Sequence, residues 1–84
     1  MTSTVSTNPG AQRWTTILDG GRLRQLRRQH ELSQEQLATH AGISLTTIRR
    51  LEHQPTAPCR TRTLGRLAAA LDEDPEHLTP ATPH

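Results

Sequence analysis

The feature that most constrains this chain is a pair of helix starts that lie eleven residues apart. Ser33 precedes a run with helical apolar spacing, and Gln36 follows it three residues later, as in a capping box. Ser44 stands in the same position before a second such run. Between the two runs, Gly42 supplies the positive φ angle at which helices commonly end. The segment therefore predicts two short helices, joined by a tight turn and packed at a steep angle.

The apolar positions of the same segment fit such a helix pair. Counted from Gln34, the positions that two crossed helices would bury are Leu37, Ala38, Ala41, Ile43, Ile48 and Leu51. If Ile48 points inward, a rotation of about 100° per residue leaves a polar, basic outer face made of Thr46, Arg49, Arg50 and His53. Leu45 projects from the first turn, between the core and the exterior.

Helical patterns continue on both sides of this pair. A first helix is predicted over about residues 19–29, and a fourth begins at residue 60 or 61 and runs to residue 71. Asp74 is predicted to cap a short final turn that has Pro75 at its first position. The connection "EHQPTAPC" contains two prolines and no glycine, and no alternating strand pattern is visible. We therefore predict an all-α fold, a compact bundle of about five short helices.

The ends of the chain differ from its middle. Residues 1–15 are rich in serine and threonine without periodicity, which predicts a disordered N-terminal arm. Trp14 is close enough to Ile17 and Leu18 to tuck onto the domain. Residues 16–79 form the predicted domain and residues 80–84 a C-terminal tail. With 84 residues the chain is expected to hold one domain only.

Charge and composition narrow the functional classes. From residue 20 to residue 65 there are eight arginines and three glutamates, whereas the C-terminal end is acidic. This asymmetry predicts a face suited to an anionic partner. Depletion of residues with AT-rich codons indicates a GC-rich bacterial genome.

Other chemistries lack their sequence signals. The lone Cys59 has no zinc-type partner, and the five histidines show no ligand spacing, so we expect no metal and no cofactor. No catalytic constellation is present, and we expect no enzymatic activity. No apolar run approaches the about 18 residues of a membrane span. A cytoplasmic protein without membrane contact is expected.

The segment "LRQLRRQHELSQEQLATHAGISLTTIRRLE", followed by "LGRLAAALDEDPEHL", resembles the Cro/C1-type helix-turn-helix family, also called XRE or lambda-repressor-like. The resemblance covers about residues 19–78. It implies a lambda-repressor-like DNA-binding domain with the helix-turn-helix at helices 2 and 3. It further implies a bacterial, nucleoid-associated transcriptional regulator that places a recognition helix, about Ser44–His53, in the major groove. Such proteins bind double-stranded DNA at palindromic operators as homodimers.

The resemblance and the helix geometry together assign roles to individual residues. Base contacts are expected from Ser44, Leu45, Thr46, Arg49 and Arg50. Phosphate contacts are expected from Gln34, Thr47, His53, Arg60 and Arg62. Gln34 lies at a helix start, which attracts anions, and Arg60 and Arg62 at a helix start would oppose the helix dipole without a phosphate nearby. Thr61 or Thr63 is expected to cap the fourth helix.

One buried ion pair is also expected. Arg27 and Glu52 each lie on the apolar side of a helix, where an unpaired charge would be costly. A mutual salt bridge would satisfy both, as the matching pair in the family suggests. Glu52 would then have a structural role.

An alternative belongs to a different class of function. The helix-turn-helix could mainly support a contact with a protein partner, as in an antitoxin or accessory factor, through the N-terminal arm or the acidic end. The all-arginine basic face favours DNA.

Overall fold

The elements of the fold follow the capping signals closely. The structure is a computed structural model and describes residues 14–80. In chain order its elements are β1 Thr15–Asp19, α1 Gly20–Gln29, α2 Gln34–Ala41, α3 Leu45–His53, β2 Thr56–Arg60, α4 Thr61–Ala70 and a 3₁₀ helix Pro75–Leu78. The predicted small, mostly helical domain is confirmed. The predicted number of helices is not, because the described residues hold four α-helices and one 3₁₀ turn.

Side-chain caps fix where the helices begin. The Asp19 carboxylate accepts from the backbone N–H of Arg22, and Ser33 forms the complete capping box with Gln36. The Ser44 hydroxyl accepts from the N–H of Thr47 at the start of α3. These bonds satisfy backbone donors that have no partner inside the helix.

The turn after α2 depends on a glycine. Gly42 has φ = 69°, and its N–H donates to the last turn of α2. Side chains are strained at this φ, so glycine is the residue that fits. The guanidinium of Arg66 on α4 also donates to the Gly42 carbonyl (3.2 Å), which ties the turn to the rest of the domain.

The prediction of an all-α fold without strands is wrong. β1 and β2 pair antiparallel, with Ile17 opposite Pro58 and Leu18 opposite Ala57. The run of Thr15, Thr16 and Ile17 favours extended backbone because its side chains are β-branched. A proline normally argues against a strand. Pro58 is tolerated because the outer edge of β2 pairs with no other strand among residues 14–80, so no N–H is needed there.

The first strand begins within the segment assigned to the N-terminal arm. Residues 1–13 of the predicted arm and residues 81–84 of the predicted tail lie outside the described residues. Thr15, assigned to the arm, begins β1. Trp14 does not tuck onto the domain, because 71 % of its surface is exposed.

A leucine-rich core holds the elements together. It draws on both strands, all four helices and the 3₁₀ turn, and its fully enclosed side chains are Leu18, Leu23, Leu37, Ile48, Leu51, Leu67, Leu71 and Leu78. Of the six core positions predicted for the helix pair, five are buried, and Ile43 is half-buried against the core. The core thus fixes α3 with one side inward.

Gly20 joins the strand to α1 at a point of close approach. Its N–H donates to the Pro55 carbonyl (3.0 Å). A Cβ atom at this position would collide with the carbonyl oxygens of Leu51 and Gln54. The start of α1 therefore sits directly against the end of α3.

Candidate nucleic-acid interface

The helix α3 presents two chemically different sides. Ile48, Leu51 and Glu52 are buried. The side chains predicted to face outward are all exposed in the structure, and they are Thr46, Arg49, Arg50 and His53. The core thus leaves free a polar, basic surface that runs the length of the helix.

Side chains at the start of α3 make more contacts within the domain than the sequence indicates. The Ser44 hydroxyl accepts from the Thr47 N–H (3.1 Å) and donates to the Thr47 Oγ1 (2.8 Å). Leu45 is half-buried and packs against the core. Among the five residues predicted to contact bases, Thr46 and Arg49 are therefore the ones whose exposed side chains have no contact described within the fold.

Arg50 reaches across to the sheet. Its Nη1 donates to the carbonyl of Pro58 (3.2 Å), so the guanidinium lies over a groove between α3 and β2. The groove is lined by Thr15, Thr47, Arg50, Pro58, Cys59, Arg60 and Thr63. The side of the groove formed by β2 was not predicted from the sequence, because this segment was interpreted as a connection without a strand.

Cys59 lies at the side of this groove with its thiol largely buried. Burial raises the pKa of the thiol, because the thiolate would lose its hydration, and the nearby positive charge of Arg50 opposes that rise in part. A thiol with a raised pKa is mostly protonated at neutral pH and is a poor nucleophile.

A buried network links α1, α2 and α3. Arg27 Nε donates to Glu52 Oε2 (2.7 Å) and Arg27 Nη2 to Glu52 Oε1 (3.0 Å), which is the pairing expected from the sequence. Arg27 Nη1 also donates to the Leu32 carbonyl (2.7 Å). The amide of Gln34 donates to Glu52 Oε1 (3.1 Å). Glu52 thereby holds Gln34 in place at the first turn of α2.

The start of α4 carries two exposed arginines. Arg60 occupies the N-cap position and makes no side-chain capping bond, so the predicted cap by Thr61 or Thr63 is not what begins this helix. Arg62 is exposed in the first turn. Cations at this end of a helix oppose its dipole, which makes the site favourable for a bound anion.

The segment that runs from α3 into α4 carries exposed charges of one sign. From Ser44 to Arg66 the chain has five arginines and a single carboxylate, Glu52, which is buried and paired. The exposed charge that α3, β2 and the start of α4 themselves carry is therefore positive, while the carboxylate residue Glu35 of α2 lies near Leu45. The two helices α2 and α3 and their turn, with this basic surface, define a helix-turn-helix.

Comparison with known proteins agrees with this geometry. A family described as "Helix-turn-helix domain" matches residues 20–81, and the chain belongs to this family, in its XRE-like branch. It is 38% identical over 65 residues to RghRB of Bacillus subtilis (strain 168), named as an uncharacterized HTH-type transcriptional regulator. The match covers 77% of this chain and 47% of RghRB, so the chain spans about half the length of that relative.

Solved structures show the same fold. The restriction-modification controller protein C.AhdI from Aeromonas hydrophila superposes with a TM-score of 0.64 at 34% identity, over 69% of this chain and 86% of that one. A hydroxyethylphosphonate dioxygenase matches with a TM-score of 0.67 at 24% identity, over 80% of this chain but only 14% of the enzyme. The likeness to the dioxygenase concerns the fold of one small part of it.

Two further kinds of feature are absent from residues 14–80. None of the helices between residues 14 and 80 is long and apolar enough to cross a membrane. Within the same range, no group of three or more histidine, cysteine or acidic side chains is arranged to hold a metal ion.

Proposed function

We propose that the protein is a sequence-specific regulator of transcription that binds double-stranded DNA with α3 in the major groove. The observation that carries this proposal is the uncovered outer face of α3, which is positively charged and sits on a helix-turn-helix. RghRB and C.AhdI, one named as a transcriptional regulator and one as a controller protein, support a regulatory role.

Base readout is assigned mainly to Thr46 and Arg49. Arginine binds the O6 and N7 atoms of guanine through two hydrogen bonds, and threonine offers a hydroxyl and a methyl group to base edges. Arg50 is already oriented by the Pro58 carbonyl and would reach a base or phosphate beside the groove. Ser44 and Leu45 complete the expected set, Leu45 through contact with a thymine methyl group.

Phosphate binding is assigned to the residues that flank α3. Gln34 is preset by its bond to Glu52 at the first turn of α2, where backbone N–H groups favour an anion. Thr47 and His53 lie at the two ends of α3, and Arg60 and Arg62 lie at the start of α4. These contacts would set the position of the protein on DNA without reading its sequence.

Operators of such regulators are read by two copies. We therefore propose a homodimer on a palindromic site, acting in the bacterial cytoplasm at the nucleoid. Two recognition helices then meet successive major grooves about 34–36 Å apart.

In vitro selection from random DNA at a stated salt concentration tests the proposal. We expect an enriched motif whose affinity falls steeply with salt, because phosphate contacts release counterions. Binding without preference over random DNA would reject sequence-specific regulation and favour the alternative, in which the helix-turn-helix supports a protein contact.

Two substitutions separate the assigned roles. Thr46→Ala should change preference at one base position by about 1–3 kcal/mol, whereas Arg60→Ala should weaken all sequences alike and reduce the salt dependence. Arg24→Ala is the matched control, since Arg24 is exposed on α1, away from the proposed interface. If Thr46→Ala lowered affinity equally for every sequence, base reading by Thr46 would be wrong.

A further inference from the structure

The strand β1 carries an apolar surface that the DNA interface does not use. Among residues 14–80, the large hydrophobic side chains that are exposed are Trp14 at 71 % and Ile17 at 46 %. Both lie at β1, and the two residues between Trp14 and Ile17 are uncharged threonines. Charged side chains commonly protect the edge strands of soluble proteins from pairing, and this strand has none before Asp19.

The backbone of Ile17 points to the open edge of β1, meaning the edge that pairs with no strand among residues 14–80. The Pro58 carbonyl accepts from Arg50 and therefore faces away from β1. In an antiparallel pair, the N–H and C=O of one residue point to the same side, and the side alternates along the strand. Since Pro58 lies opposite Ile17, this is a pair without mutual hydrogen bonds, and Ile17 turns its N–H and C=O away from β2.

The other end of the sheet fixes the same alternation. The N–H of Gly20 donates to the Pro55 carbonyl, in continuation of the β1–β2 register. Gly20 is three residues beyond Ile17, so the two residues point to opposite sides of the strand. Two independent hydrogen bonds thus agree that Ile17 presents a donor and an acceptor at the open edge.

We propose that this edge binds β1 of a second copy of the chain, antiparallel, with the two Ile17 residues facing each other. The product is a four-stranded sheet in the order β2, β1, β1, β2. This inference rests on the proposed function, because it names the surface through which the proposed homodimer forms.

A second copy suits the edge because the edge is self-complementary. A twofold axis at Ile17 lets each copy donate its Ile17 N–H to the other and accept in return. The uncharged stretches then meet, and Asp19 of one strand lies across from the start of the other strand rather than from its counterpart. No like charges are forced together.

The contact is small, which predicts its strength. A five-residue edge with one tryptophan buries less than the about 1,200 Å² of a stable interface. We therefore expect a rapidly exchanging dimer that forms in the micromolar range or above in the absence of DNA.

Sedimentation of the full chain without DNA tests the surface. Wild type should shift from monomer to dimer with rising concentration, and Ile17→Lys should raise the dimer Kd by at least about tenfold, since like charges meet at the axis. The control Thr56→Lys adds the same charge to the exposed β2 strand, off the pairing edge, and should leave the Kd within about twofold. A wild type that stays monomeric to about 1 mM, or a dimer that Ile17→Lys leaves intact, would overturn the inference.

Amide hydrogen exchange of the wild type gives a second readout that needs no variant. Protection of the Ile17 N–H should increase with protein concentration, while that of Leu18, already bonded within the sheet, should change little. An Ile17 amide that exchanges equally fast at all concentrations would overturn the proposed pairing. Because neither experiment contains DNA, a dimer that binds no specific DNA would reject the proposed function alone, and a monomer that binds specific DNA would reject this interface alone.

Discussion

Replacing Glu52 by alanine removes the centre of the network that joins α1, α2 and α3. The residue is 6 % exposed, and its carboxylate accepts three hydrogen bonds, two from Arg27 and one from Gln34. After the substitution, the guanidinium of Arg27 keeps only its bond to the Leu32 carbonyl and remains in a largely buried position. Its positive charge then has neither a counter-ion nor full hydration.

The size of the effect follows from these contacts. Removing one member of a buried ion pair costs about 3–5 kcal/mol. The side chain of Arg27 is 12 % exposed and retains one acceptor, so we expect the lower end, about 3 kcal/mol. For a domain of this size, about 4–8 °C of melting temperature is lost per kcal/mol, which predicts a fall of about 12–24 °C.

Thermal unfolding followed by far-UV circular dichroism measures this fall. Glu35→Ala is the control, because Glu35 is an exposed carboxylate on α2, and its removal should cost less than about 1 kcal/mol. In a double-mutant cycle, Arg27→Met and Glu52→Ala together should cost less than the sum of the two single changes. A Glu52→Ala variant with the same melting temperature as wild type, or a double-mutant cycle that is strictly additive, would refute the reasoning.

Two further predictions concern single positions. Gly42→Ala should lower the free energy of unfolding in urea by about 1–2 kcal/mol, because φ is 69° there. Gly65→Ala, inside α4 with nothing within 4 Å of the added Cβ, should raise it by about 0.5–1 kcal/mol; equal effects at the two positions would contradict the φ argument. Burial raises the pKa of Cys59 above the ordinary thiol value of 9.0. The folded state then keeps a proton that the unfolded state loses, so stability should decline as pH rises above about 9. The chain has no lysine or tyrosine to obscure this decline, which Cys59→Ala should abolish.

The helix pair could be predicted because its signals are local. The capping box at Ser33, the cap at Ser44, the turn glycine and the apolar spacing all lie within the twenty residues from Ser33 to Glu52, and each acts through neighbours in the chain. The outer face of α3 followed from rotation about one helix axis. The pairing of Arg27 with Glu52 could be predicted because each charge lies on the apolar face of its helix, where an unpaired charge would be costly.

The strands could not be predicted on the same grounds. β1 and β2 are five residues each and pair across a separation of some forty residues, so neither has a local signal strong enough to stand alone. Pro58 argues against a strand because it has no N–H to donate. Only the pairing with β1 shows that the missing N–H would face away from the partner strand. The orientation of Arg50 depends on β2, so it could not be predicted without that strand. The Ser44 hydroxyl has several neighbouring groups to bond, so its bond to the Thr47 hydroxyl could not be predicted from the sequence either.

The sheet has a consequence for the smallest unit that can fold by itself. The family match begins at Gly20, but the packing begins five residues earlier, at Thr15. A protease cut before Gly20 would remove the fully buried Leu18, the cap that Asp19 gives to α1, and the strand that covers Ala57. A fragment trimmed to the helix-turn-helix match would therefore lose part of its core, and the α3 helix would lose the rigid backing that holds it in position.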